Sequence, residues 1–65
     1  MRTAVPAAPE ALTVPEVMTA LRLSRSKVYD LIRTRQLRSY TSGRARRVPV
    51  DAVRQHMHDR MEEAA

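Results

Sequence analysis

The spacing of apolar residues predicts two short helices in the first half of the chain. The buried edge of the first helix, which ends near residue 21, consists of Val17, Met18 and Leu21. The inward stripe of the second, over about residues 25–33, consists of Val28, Leu31 and Ile32. Within each set the residues are one, three or four positions apart, as one face of a helix requires.

Polar residues at the start of each predicted helix support both assignments. Thr13-Val14-Pro15-Glu16 fits a capping box, in which the threonine hydroxyl accepts an early helix N–H and the glutamate reaches back to the cap. Ser24 is placed to cap the second helix, so residues 22–24 form a tight connection. Residues 1–11 have no apolar periodicity and are expected to form a flexible leader before a domain over residues 12–62.

The remainder of the chain predicts a small hairpin and a last helix. Tyr40 and Thr41 favour a strand, residues 46–48 return as a second strand, and Gly43 is expected to make the turn. Pro49 ends that strand, and a helix follows, with residues 63–65 frayed. Because the chain lacks Phe and Trp, we expect Met18 and the methionines of the last helix to fill the core. The inward side of the last helix would carry Val50, Val53, Met57 and Met61.

Charge is concentrated in the middle of the chain. The 65 residues carry a formal net charge of +5. Residues 22–47, here called the basic segment, contain eight arginines and one lysine against one aspartate, a net of +8, whereas the flanking segments are mildly acidic. Such a field indicates a polyanion-binding surface, with a nucleic acid as the first candidate. The predominance of arginine favours forked contacts with phosphate or guanine, and the alternative is a solvated basic face.

Two short helices joined by three residues, the second outwardly basic, are typical of a helix-turn-helix, and the hairpin would be its wing. The fold class expected is therefore mainly α with a small β-hairpin, a winged helix-turn-helix. Candidate DNA-binding residues on the recognition helix are Arg25, Ser26, Lys27, Tyr29, Asp30 and Arg33. Wing candidates are Arg44, Arg46 and Arg47, and possible phosphate contacts are Arg22, Arg35 and Arg38.

Two of these residues have competing interpretations. Tyr29 could donate its hydroxyl to a phosphate or be partly buried packing. Asp30 could accept from a cytosine amino group, but pairing with Arg33 or Lys27 on the helix surface is favoured.

Other chemistries find little support. His56 and His58 point to different sides of a helix and lack a third ligand, so no metal site is expected. With no Cys, no Gly-rich phosphate loop and no catalytic triad set, we expect neither an enzyme, nor a cofactor, nor a small-molecule substrate. No apolar run has membrane length, and a cytoplasmic, nucleoid-associated protein is expected.

Four segments together resemble the excisionase family, MerR-like winged helix-turn-helix proteins of the Xis and AlpA type. They are residues 12–17 (LTVPEV), 23–29 (LSRSKVY), 31–33 (LIR) and 43–48 (GRARRV). The resemblance implies a recombination directionality factor that binds and bends attachment-site DNA and helps an integrase to excise a mobile element. The family often has glycine where this chain has Arg22 and Arg35, and a left-handed backbone there would cost about 1 kcal/mol.

Two other functions remain open at this point. The same domain could regulate transcription at a promoter, since function depends on which site is bound. Alternatively, the acidic, methionine-bearing last helix could make the protein an interaction module that docks an integrase. The expected partners are double-stranded DNA, an integrase and further copies of the chain bound cooperatively to DNA repeats.

Overall fold

The computed structural model describes residues 11–64, so the predicted leader lies outside the described residues except for Ala11. The fold class predicted from the sequence is confirmed: three helices surround a small antiparallel sheet. In chain order the elements are β1 (Ala11–Leu12), α1 (Val14–Leu21), α2 (Arg25–Arg33), β2 (Tyr40–Ser42), β3 (Ala45–Pro49) and α3 (Val50–Ala64).

The starts of α1 and α2 are fixed by the predicted caps. The backbone N–H of Glu16 donates to Thr13 Oγ1 at 3.2 Å, and the N–H of Thr13 donates to Glu16 Oε1 at 2.8 Å. These two bonds complete the capping box, and Pro15 occupies the first turn, where no helical N–H is needed. Ser24 Oγ accepts the N–H of Lys27 at 3.2 Å, which caps α2.

An arginine in the left-handed conformation closes the turn at the end of each short helix: Arg22 is the C-cap of α1, and Arg35 follows Thr34, the C-cap of α2. Arg22 has φ 56° and ψ 48°, and Arg35 has φ 63°. The residue after each donates its N–H five residues back: Leu23 to Met18 O at 3.0 Å, and Gln36 to Leu31 O at 2.9 Å. This termination favours glycine, so two arginines occupy strained positions.

The sheet has the order β1-β3-β2, with both pairs antiparallel. Gly43 turns the hairpin with φ 64°, as predicted, and Tyr40 is registered opposite Arg47. β1 is an addition to the prediction, because Ala11 and Leu12 pair with Pro49 and Val48. A strand of two residues is too short to show alternation, so the sequence placed Ala11 in the leader.

The core lies between α1, α2, β3 and the first half of α3. Leu37, 1% exposed, is its largest fully buried side chain and comes from the loop after α2. Met18, Leu21 and Ile32 pack against the core from partly buried positions, in line with the predicted stripes. The buried hydrophobic residues of the core are Val14, Val17, Val28, Leu31, Leu37, Val48, Ala52 and Val53.

The inward face predicted for α3 is wrong at both methionines. Met57 is 43% exposed and Met61 is 73% exposed, whereas Ala52, Val53 and His56 are buried. At 100° per residue, the line through Met57 and Met61 lies roughly 100° around the helix from the buried side. The helix also continues through Ala64, into residues expected to fray. Its second half extends past the core and is exposed on all sides.

Candidate nucleic-acid interface

The outer face of α2 has the exposure that a groove-binding helix requires. All six residues predicted on it are exposed: Arg25, Ser26, Lys27, Tyr29, Asp30 and Arg33. The buried side of the same helix is held by Val28 and Leu31, so the polar face is directed away from the core. The helix is anchored at its start by Ser24 and at its end by the Arg35 turn, which fixes its direction.

Asp30 forms an ion pair with Arg33 on the surface of α2, which is the favoured interpretation from the sequence. Three residues separate the two, a spacing that brings side chains together on a helix. Tyr29 is 38% exposed, so its ring is partly packed while part of the side chain still faces solvent. A hydroxyl contact with phosphate remains compatible with this position.

The hairpin presents its arginines in different directions. Arg44 is exposed at the turn, while Arg46 and Arg47 are half-buried. Because successive residues of a strand point to opposite faces, Arg46 shares a face with the buried Val48 and Arg47 occupies the other. Arg46 Nη1 donates to Ser39 Oγ at 3.0 Å, and Arg47 Nη1 donates to the carbonyl of Arg46 at 3.2 Å. The predicted wing is thus one hairpin with two distinct basic faces.

A cleft of about 620 Å³ opens between the end of α2, the loop that follows it and the hairpin. We call it the arginine cleft. Leu37 forms part of its apolar floor, with Ile32 and Pro49. Three of the predicted DNA contacts that lie outside α2 are in the lining: Arg35, Arg38 and Arg46. The other polar lining residues are Arg33, Ser39 and Tyr40.

Arg22 is placed differently from the other candidates. It is exposed in the turn between α1 and α2 and does not line the cleft, although its backbone strain matches that of Arg35. The three possible phosphate contacts named from the sequence therefore separate into Arg35 and Arg38 at the cleft and Arg22 at the turn.

Few carboxylates neutralise this surface within residues 11–64. Asp30 pairs with Arg33, and the other ion pair, Arg60–Glu63, lies on α3, as does the contact of His58 with Glu62, which is an ion pair only when the histidine is protonated. The other eight cations of the basic segment have no ion-pair partner in the described part of the chain. The positive field predicted from the sequence is therefore preserved at the folded surface.

Ser39 is a residue that the sequence interpretation missed. It positions the Arg46 guanidinium, and its partner is seven residues away across the hairpin. The hairpin register could have identified this contact from the sequence. When Tyr40 pairs with Arg47, Ser39 and Arg46 become diagonal neighbours on the same face of the hairpin.

Residues 11–64 contain neither a membrane-spanning helix nor a metal-binding cluster. Across residues 11–64, no helix combines the length and the apolar character needed to cross a bilayer. The same residues contain no group of three or more side chains that could together hold a metal ion.

Comparisons with known proteins agree on one family. Residues 11–61 match the family model described as a helix-turn-helix domain. A curated protein from Streptomyces ambofaciens, described as an excisionase, is 62% identical over 56 residues, which cover 86% of this chain and 90% of the relative. No solved structure matches the chain.

Proposed function

Because the chain belongs to the excisionase family of helix-turn-helix proteins, we propose that it is a DNA-binding excisionase whose α2 enters the major groove. The observation that carries the proposal is the exposed, capped face of α2, flanked on one side by the hairpin and the arginine cleft. The cap bonds at both ends fix where the helix begins and ends, and a site built on a helix places side chains against base edges more accurately than one built on a loop.

The contacts divide by chemistry. On α2, Ser26 and Lys27 lie in the first turn, where short and flexible polar groups can approach base edges. On the hairpin, Arg44 and Arg47 would contact the neighbouring phosphates and supply affinity without reading sequence. Under this proposal the domain neutralises about six phosphates, so a plot of log K for DNA binding against the logarithm of salt concentration should have a slope of roughly −5.

The directional role would be architectural rather than chemical. We propose that copies of the domain bind repeated sites beside one another, because a module of this size contacts few base pairs and gains specificity by binding in series. Bending of the attachment-site DNA and contact with an integrase belong to the same proposal. The exposed side of α3 at Met57 and Met61 is free in the single chain to meet such a partner.

A footprint titration tests the proposal. The full chain is titrated across the attachment region and its own promoter at two salt concentrations, with random duplex as competitor. Ordered protection of repeats in the attachment region is the expected result. Protection confined to the promoter would assign the domain to transcription regulation, and binding without site preference would remove the excisionase role.

Matched variants then test the division of contacts. Ser26→Ala is expected to change the relative affinity for variant sites, whereas Arg47→Ala weakens binding to cognate and random DNA alike. Arg54→Ala on α3 is the control, because it removes one exposed positive charge outside the basic segment. If Arg54→Ala weakened binding as much as Arg47→Ala, total charge rather than the hairpin would determine affinity.

A further inference from the structure

The arginine cleft gathers like charges in a small space. Its lining includes four arginines: Arg33, Arg35, Arg38 and Arg46. Within the described residues, the one acid that forms an ion pair with any of these arginines is Asp30, which pairs with Arg33. Four arginines around one opening, with a single acid paired to one of them, leave an excess of positive charge, and a bound anion or interspersed acids would relieve the repulsion. The cleft is open to solvent, so an anion attached to a larger molecule can enter it.

Two of these arginines are held in place by specific structure. Arg35 occupies a left-handed backbone position that glycine would adopt without steric cost. From that position Arg35 lines the cleft. Arg46 is oriented from the opposite side by its hydrogen bond to Ser39. The cleft therefore has one arginine from the α2 end and one from the hairpin facing the same space.

We propose that the arginine cleft is a single binding site for one DNA backbone phosphate, with Arg35 and Arg46 as its direct ligands. This inference rests on the proposed function. If α2 lies in the major groove and the hairpin on the adjacent minor groove, the sugar-phosphate strand between the two grooves must pass between these elements. The cleft lies at that place.

The chemistry of the lining fits a phosphodiester. Its two non-bridging oxygens can accept paired N–H groups from guanidinium forks on either side. Arg38 adds positive charge to the lining, while the charge of Arg33 is offset by its ion pair with Asp30. Ser39 acts as a positioning residue for Arg46. Bound in this way, the phosphate would link α2 to the hairpin and fix the register of the recognition helix.

A double-mutant cycle tests whether the two ligands share one phosphate. Arg35→Gly and Arg46→Gln are made singly and together, and binding to a cognate duplex is measured by fluorescence anisotropy. Each single change is expected to weaken binding about tenfold, as loss of a charge-assisted contact does. The second change should add less than about threefold in the background of the first, because the site is already broken.

Arg22→Gly supplies the matched control. It removes the same charge and also places glycine at a positive φ, but at a position outside the cleft. Combined with Arg46→Gln, it should give losses that multiply. If the Arg35 and Arg46 losses also multiply, the two residues do not share a phosphate and the inference is overturned.

Ser39→Ala separates positioning from charge. It should weaken binding in the parent protein and have no effect in the Arg46→Gln background, with the urea midpoint of unfolding unchanged. An equal loss in both backgrounds would exclude Ser39 from orienting Arg46.

Titration with inorganic pyrophosphate, followed by NMR of the arginine Nε–H signals, distinguishes a free anion from the DNA backbone. We expect no saturable binding without DNA. Saturation that disappears in Arg35→Gly would assign the cleft to a free phosphate ligand instead. Failure of the parent chain to bind any DNA would refute the proposed function itself, a result separate from that of the cycle.

Discussion

Replacing Arg22 with glycine should stabilise the domain, although it removes an exposed charged side chain from the surface. Arg22 ends α1 with φ 56° and ψ 48°, where the Cβ of an L-residue crowds the following carbonyl. The left-handed conformation costs a non-glycine residue roughly 1–2 kcal/mol. Glycine avoids that cost, and the backbone bond from Leu23 to Met18, which closes the helix end, does not depend on the side chain.

The net gain is smaller than the strain, because glycine also makes the unfolded chain more flexible. That effect favours unfolding by about 0.4–1 kcal/mol. The difference leaves a stabilisation of about 0.5–1 kcal/mol. For a domain of this size the expected rise in melting temperature is about 2–8 °C. Urea unfolding followed by far-ultraviolet circular dichroism measures the free energy directly, and an unchanged slope would show that the unfolded state is comparable.

Arg22→Ala is the control that separates backbone strain from charge. It removes the same positive charge from the basic segment but keeps a Cβ in the left-handed conformation. We expect no gain from it. If alanine stabilised the domain as much as glycine, relief of charge repulsion would be the cause. If glycine gave no gain, the assignment of strain to this turn would be refuted.

Other substitutions test the packing and the caps, each by urea midpoint and thermal melting. Thr13→Ala should cost about 1 kcal/mol by removing the capping box, while Thr19→Ala on the exposed side of α1 should change stability by less than about 0.5 kcal/mol. Leu37→Ala should cost about 2–5 kcal/mol and abolish the cooperative transition in so small a domain. Met61→Gln should stay within about 0.5 kcal/mol, whereas Val53→Ala on the buried side of α3 should cost about 1.5 kcal/mol; equal effects would refute the assignment of the α3 faces.

The beginnings of α1 and α2 were predictable because their signals are local. Thr13 and Ser24 bond to backbone groups three residues away, and such contacts depend on few other residues. The hairpin turn was predictable for the same reason, since Gly43 supplies the positive φ within a short loop. In each case the residue type and the geometry that it permits lie within one turn of the chain.

The faces of α3 were not predictable from periodicity. Val50, Val53, Met57 and Met61 have helical spacing, and this stripe is as regular as the stripes of α1 and α2. Which side of a helix meets the core depends on the direction in which it leaves β3, and periodicity does not contain that direction. The polar His56 is buried on the same side of α3 as Ala52, while the apolar Met57 and Met61 are exposed. The position of the helix against the core, rather than the polarity of each residue, therefore decides which side is buried.

For the candidate site, the total charge was predictable from the sequence, but the distribution of the arginines over the folded surface was not. The sequence located the positive charge within residues 22–47, but it could not divide the arginines among surfaces. Arg46 and Arg47 are adjacent in sequence, yet strand geometry sends them to opposite faces of the hairpin. Arg35 and Arg46 are eleven residues apart, yet the folded chain brings both to one cleft.

Arg35 connects the energetics of the fold with the proposed function. Its left-handed backbone strains the free domain as that of Arg22 does, so glycine would be the more stable choice at both positions. Arg22 is exposed in a turn and lies outside the lining of the arginine cleft. At Arg35 the same strain accompanies a place in the lining of the arginine cleft, which three other arginines share. On the phosphate-site proposal, Arg35→Gly therefore raises the stability of the free domain and lowers its affinity for DNA. A substitution with opposite effects on folding and binding is the behaviour expected of a residue whose strained conformation serves a ligand.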